Sequence, residues 1–226
     1  AKSMITRWYP FLRNGIKHST SKRKLQPGKR QSYEISIYGT NLEKIYGMEF
    51  EKVSNIPYKE KFVDDFVACV EKFCKYIIVS GFVAIAHGRT RGTEDIDMII
   101  ERMPKEKFLL LHDELINAGF HCIQSSIREE VYDYLDKGVS VRYTDNDEFF
   151  PPEMEVKFVK DELDELQMLT RKKLEFTGLD LWFSSIEFNV AFKEELLKSE
   201  KDFEDAKHLR LIYRDEMEND FIDEIK

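Results

Sequence analysis

Residues 77–100, IIVSGFVAIAHGRTRGTEDIDMII, constrain the fold of this chain more than any other stretch. An apolar, strand-like run reaches a Ser80-Gly81 turn, and a short apolar helix follows to Ala86. His87-Gly88 and a basic turn then lead into a second strand carrying Asp95 and Asp97. Side chains alternate along a strand, so carboxylates at i and i+2 share one face. Ile96, Met98, Ile99 and Ile100 anchor that same strand in a core. Hard divalent cations take closely grouped oxygen ligands, and phosphoryl chemistry commonly employs two ions about 3.5–4 Å apart. Asp is depleted in strands, so an acidic pair on an otherwise apolar strand points to ligation rather than to a solvated edge.

This ordered run resembles the signature of the DNA polymerase β-like nucleotidyltransferase superfamily, a small-residue pair followed by Asp-x-Asp. It is most similar to the minimal and abortive-infection-type, toxin-like branches of that superfamily. There a Gly-Gly or Gly-Ser turn precedes an apolar helix ending in His-Gly, and then Arg-x-Thr-x-Asp-x-Asp. The corresponding residues are Ser80-Gly81, Phe82 to Ala86, His87-Gly88, and Arg91-Gly92-Thr93-Glu94-Asp95-Ile96-Asp97. Ser80 stands where the first Gly often sits, and Phe82 where many members have Ser.

The resemblance implies an α+β (mixed α/β) fold, with a palm-like mixed sheet flanked by helices and a mainly helical C-terminal part. It implies an enzyme that moves an NMP from an NTP to a hydroxyl acceptor with release of pyrophosphate. Mg²⁺ is the expected ion, with Mn²⁺ the alternative. Asp95 and Asp97 would hold it, and Glu155 corresponds to the third carboxylate that many members supply, often as Asp. Ser80 and Gly81 would cradle the triphosphate, and Arg91 would clamp it. A C-terminal tract from Ser185-Ile186-Glu187 through Lys193 to Lys201-Asp202 and Asp205 also resembles the abortive-infection branch. By that resemblance Lys193 reaches the nucleotide, while Asp202 or Asp205 orders the pocket.

The residues carry readings of their own. In MEVKFV, Glu155, Lys157 and Val159 share one face while Met154, Val156 and Phe158 share the other, which turns Glu155 away from an apolar layer. An ordinary exposed alternation reads equally well there. Glycine lacks a Cβ, so backbone N–H groups at residue 81 can approach phosphate oxygens, though a plain strand-to-helix turn needs the same residue. Arg89 flanks the acidic pair as Arg91 does, and either one clamps phosphate or pairs with Glu94. In isolation Lys193 and its acidic neighbours read as solvated helix charges. His87 and His208 read as packed or capping residues.

Composition bounds the rest. Hydrophobic residues make up 42% of the 226 and aromatics 13%, which fits a folded chain rather than a disordered one. No run approaches the ~18–20 apolar residues of a membrane span, and the basic start lacks a signal peptide's apolar stretch. A cytoplasmic location without membrane contact is therefore expected. Cys69, Cys74 and Cys122 form no CxxC pair and read as reduced core thiols. Residues 1–33 hold nine Lys or Arg and no acid in a chain of net charge −8, which leaves −17 on the remainder. A basic arm on an acidic body suits a polyanion, and Trp8, Tyr9 and Phe11 would add base stacking. A solvated terminus is the plainer alternative.

The elements expected from periodicity and breakers are a strand over Tyr33 to Tyr38 and helices over 58–75, 105–118, 126–136 and 160–172. Strands are expected at Phe120 to Gln124, Val139 to Tyr143 and Met154 to Val159. A hairpin around Thr177-Gly178 would pair Leu174–Phe176 with Leu179–Phe183. Helices capped by Ser185 and Ser199 follow. The division expected is a basic arm 1–33, a nucleotidyltransferase core 34–160 and a mainly helical region 161–226 packed on it.

The acceptor expected from the arm is RNA, a tRNA end among the candidates, ahead of a protein hydroxyl. The rival readings are a catalytically inactive nucleotide- or RNA-binding module of the same fold, or one component of a toxin–antitoxin-like pair with a partner protein. A sugar-nucleotide glycosyltransferase, which also uses Asp-x-Asp, is disfavoured by the glycine-turn-and-helix unit before the acids. For the arm, deletion of residues 1–33 is expected to weaken RNA binding and flatten its dependence on salt. A titration with labelled RNA at two ionic strengths checks this, and unchanged affinity would refute an RNA role.

Overall fold

The structure is a computed structural model that describes residues 57–89, 95–145, 152–174 and 177–225. The arm 1–33, the strand expected over Tyr33 to Tyr38, and Arg91, Thr93 and Glu94 lie outside the described residues. Helix α1 (Pro57–Val70) leads into β1 (Tyr76–Val79), α2 (Gly81–Ala86) and β2 (Asp95–Ile100). Then come α3 (Lys105–Asn117), β3 (His121–Cys122), α4 (Arg128–Asp136), β4 (Val141–Thr144) and β5 (Glu153–Phe158). The C-terminal part holds α5 (Glu162–Leu169), β6 (Lys172–Lys173), β7 (Trp182–Phe183), α6 (Ile186–Phe192), a π-helical turn (Lys193–Leu197), α7 (Glu200–Ile212) and α8 (Asn219–Ile225). Among the described residues no helix is long and apolar enough to cross a membrane.

The fold is mixed α+β. Seven strands form one mixed sheet among the described residues, in the order β3-β4-β5-β2-β1-β7-β6. Strands β1 and β2 are antiparallel, β2 and β5 parallel, and β5 and β4 antiparallel. The parallel pair sets Asp95 opposite Glu153 and Asp97 opposite Glu155. On the other side of β2, Asp97 faces Val79. Alternation decides which face each residue takes: along β5, Met154, Val156 and Phe158 are buried while Glu153, Glu155 and Lys157 are partly exposed.

The apolar face of the sheet carries the main core. Phe62 and Phe66 of α1 meet Phe120 edge-on at 5.5 and 5.0 Å between ring centroids, and Phe66 tilts against Tyr143 of β4 at 5.6 Å. Phe158 of β5 meets Phe108 of α3 and Tyr132 of α4 in the same manner. A smaller apolar cluster joins Ile77 of β1 and Ile99 of β2 to Met168 of α5, so the opposite face is apolar only beyond its acidic end.

Several expected bounds move. Helix α1 stops at Val70 rather than 75, where the chain closes a turn with Cys74 N–H donating to Val70 O at 3.0 Å. The hairpin in the C-terminal part forms further out than expected. Lys172 pairs with Phe183 and Lys173 with Trp182, because the Thr177 hydroxyl and N–H both close back on Leu174 O. Lys172 thereby leaves the expected helix 160–172, which ends at Leu169. Ser185 and Ser199 cap α6 and α7 as expected, accepting from Phe188 N–H at 3.4 Å and Asp202 N–H at 3.2 Å. The helix capped by Ser185 widens into the π turn after Phe192.

The cysteines are free thiols, two buried and one partly so. His87 is packed: Nδ1–H donates to Val83 O at 2.6 Å and Nε2 accepts from the Tyr213 hydroxyl at 2.7 Å. Burial pushes its imidazole down to about 4, so it is neutral near pH 7. His208 donates from Nε2 to the His87 carbonyl at 2.9 Å, tying α7 to the end of α2.

Phe66 is fully buried where α1, Phe120 and β4 meet. Phe66→Ala is expected to cost about 3–5 kcal/mol, a large share of a typical domain stability of about 5–15 kcal/mol. Urea unfolding followed by circular dichroism measures it.

Candidate active site

The acidic cluster follows directly from the β2–β5 register. Asp95 and Asp97 project from one face of β2, and Glu155 projects from the same face of the neighbouring strand. Asp95, Asp97 and Glu155 each offer a carboxylate oxygen within 4.8 Å of the others. Burial, the negative charge of Asp95 and that of Glu155 raise the Asp97 carboxyl above its ordinary range, against a hydrogen bond from Ser80 and the charge of Lys157. The donors are hard oxygens, converging and mutually repelling, and a divalent cation relieves that repulsion. The donor set therefore fits such an ion.

Ser80 supplies the next wall. It lies at the end of β1 with φ 64° and ψ −132°, a backbone conformation that L-residues rarely adopt. Such a residue costs about 1–3 kcal/mol unless its surroundings hold it. The unusual conformation thus falls on Ser80, while Gly81 begins α2 and is buried.

Beside the cluster is a cavity of about 290 Å³. Its lining includes Ser80, Asp97 and Glu155, the lysines Lys157 and Lys160, and the apolar Leu163, Phe192, Leu196 and Leu197. Buried Asp164, Gln167 and Asn189 add a polar part to the lining. Ser184 Oγ donates to Gln167 Oε1 at 2.8 Å, Gln167 Nε2 approaches Asp164 Oδ1 at 3.5 Å, and Asn189 Nδ2 donates to the carbonyls of Ser184 and Ser185 at 3.1 and 2.9 Å. Acid, polar amides and apolar wall in one concave space are the ingredients of a small-molecule site.

Lys193 also lines this cavity, and it is buried. Its Nζ lies 3.1 Å from Asp205 Oδ2 and 3.4 Å from Asp202 Oδ1. Asp205 in turn faces Arg89 Nε at 3.4 Å, so the charged residues of the C-terminal tract meet the end of α2. Partial burial pushes the Asp202 carboxyl up, but hydrogen bonding from Ser199 and the Lys193 ammonium outweigh it and hold it below the usual range. Lys193 and its acids are therefore not solvated helix charges.

The structure thus brings together Asp95, Asp97, Glu155 and Ser80, with Lys193 on the same cavity. Arg91 falls outside the described residues. Sequence reasoning missed Arg142, which reaches the acidic cluster from β4, and the polar band of Asp164, Gln167, Ser184 and Asn189. Their sequence signal is faint, because each depends on which strand or helix lies alongside.

No protein-family model matches the chain, and no curated protein matches it. Among solved structures it is similar to the antibiotic-resistance factor ANT(2'')-Ia in solution, at 16% identity and a TM-score of 0.46, over 74% of this chain and 89% of that one. It is also similar to a crystal structure of ANT(2")-Ia in complex with adenylyl-2"-tobramycin, at 14% identity and TM-score 0.46, over 74% of this chain and 94% of that one. A third likeness is to an antigenic nucleotidyltransferase-like protein from Paracoccidioides brasiliensis, at 17% identity and TM-score 0.41, over 67% of this chain and 78% of that one.

Asp97 carries an electrostatic cost in the metal-free protein. A carboxyl raised in the fold destabilises it above that raised value, and the penalty fades as pH falls toward the ordinary carboxylate range. In EDTA, Asp97→Asn is expected to melt above the wild type at pH 7, by about 2–4 °C for each kcal/mol of relief. The gap should shrink as the melts are repeated toward pH 4; a lower melting point for the variant at pH 7 contradicts this.

Proposed function

We propose that this chain is a nucleotidyltransferase that moves an NMP from an NTP to a hydroxyl acceptor. The single observation that carries the reading is the convergence of Asp95, Asp97 and Glu155 within 4.8 Å, with Asp97 and Glu155 on the wall of a cavity. Their order along the chain, after the small-residue turn at Ser80-Gly81, adds the resemblance to polymerase β-like enzymes.

Asp95, Asp97 and Glu155 would hold Mg²⁺, or Mn²⁺ in its place. When bound, the ion supplies neutralisation of the triphosphate's charge and a template for in-line displacement. The protein's own part is binding and orientation. The cavity takes the NTP with its phosphates toward Ser80 and the acidic end, the sugar along the Gln167–Asn189 band and the base against Phe192, Leu196 and Leu197. Lys157 adds positive charge on the phosphate side, and Lys193, held by Asp202 and Asp205, sits on the same wall.

The acceptor oxygen bonds to the α-phosphorus as the bond to the bridging oxygen breaks, and pyrophosphate leaves with that oxygen. The hydroxyl proton passes to a carboxylate oxygen of the cluster. Glu155 fits either that role or the third ligand position; its Oε2 is engaged by Arg142, which favours the ligand. Positioning and fixed charge account for most of the rate in such a transfer. The basic arm 1–33 favours RNA as acceptor.

Incubation with each α-labelled NTP, Mg²⁺ and either total RNA or lysate protein is expected to transfer label. Asp97→Ala should reduce that transfer by about 100-fold or more, beyond the usual effect of removing a mere supporting contact. Nucleotide binding without transfer from any NTP to either acceptor pool would instead make this a binding module.

A further inference from the structure

On the metal reading above, we propose that Arg142 is the positioning residue that fixes Glu155 as the third carboxylate of the cluster. Arg142 lies on β4 directly opposite Glu155, which itself lies opposite Asp97. One cross-strand row thus runs from guanidinium to carboxylate to carboxylate. The guanidinium places two N–H groups on a single oxygen: Nη2 lies 2.9 Å and Nε 3.0 Å from Glu155 Oε2. Its remaining approaches are looser, 3.7 Å to Glu153 Oε2 and 4.0 Å to Asp95 Oδ2.

The consequence is directional. With Oε2 occupied by Arg142, Oε1 is left as the Glu155 donor for a cation. A glutamate has three side-chain torsions, and a free one beside two aspartates would swing away from their charge. Two donors on one oxygen remove that freedom, and the arginine charge offsets part of the repulsion within the cluster. Arg142 therefore serves the cation through Glu155, although its own charge opposes the cation. The two effects have opposite signs, so experiment can separate them.

The test is Mn²⁺ binding to the nucleotide-free, full-length protein, followed by electron paramagnetic resonance or calorimetry, with melting in EDTA as the check on folding. Loss of the residue that holds a ligand typically weakens metal binding by about 10–100-fold, and that loss is expected for Arg142→Ala and Arg142→Gln. Arg142→Lys, which keeps the charge without the two-pronged contact, should recover part of it. In a Glu155→Gln background, Arg142→Ala should change affinity by less than about twofold, because coupled sites are not additive. Unchanged or tighter Mn²⁺ binding by Arg142→Ala overturns the inference, and so does a full-sized effect in the Glu155→Gln background. Wild-type protein that binds no Mn²⁺ overturns the metal reading itself and this inference with it, whereas normal wild-type binding with an indifferent Arg142 overturns the inference alone.

Discussion

The parallel pairing of β2 with β5 is the constraint on which the rest depends. Ladder hydrogen bonds and buried Ile96, Met98, Ile100, Met154, Val156 and Phe158 hold the two strands in one register. That register forces Asp95, Asp97 and Glu155 together on the opposite face, where their charges repel. A slip of one residue would exchange the faces of β5, burying Glu155 and exposing Phe158. The apolar layer is thus what keeps the acids in place, and Arg142 moderates their repulsion from β4.

A second set of charges links helices rather than strands. Lys193, Asp205 and Arg89 come from the π turn, α7 and the end of α2, and the first two are buried. Removing one member of a buried pair leaves the other charge uncompensated, a cost of about 3–5 kcal/mol. The set therefore pins the C-terminal helices to the end of α2, and it does so next to the wall of the cavity.

Much of this was legible in the sequence. Alternation in MEVKFV places Glu155 opposite the apolar residues, as found, and the Ser-capped helices start where their side chains accept from the backbone. The helices of 105–118 and 126–136 appear with small changes at their ends. What the sequence withheld are matters of pairing. Arg142 sits in an ordinary-looking strand, and only the β4–β5 register aims it at Glu155. Lys193 reads as a surface charge until α7 brings Asp205 to it. The hairpin shifted outward because the Thr177 hydroxyl bonds locally to the chain, a contact with no periodic signature.

The π turn at Lys193–Leu197 has a bearing on how this region tolerates changes in length. Such a turn holds one residue more than an α-helical ladder requires. The chain leaves the helix immediately afterwards: Lys198 takes φ 53° and its N–H donates to Lys193 O at 3.2 Å, before Ser199 opens α7. Removing one residue would tighten that exit and shorten the path to α7, whose Asp202 and Asp205 hold Lys193. The widened turn thus sets the length of chain between an ammonium and the helix that carries its two acids, so a shortening there would strain the ion pairs before it strained the helix.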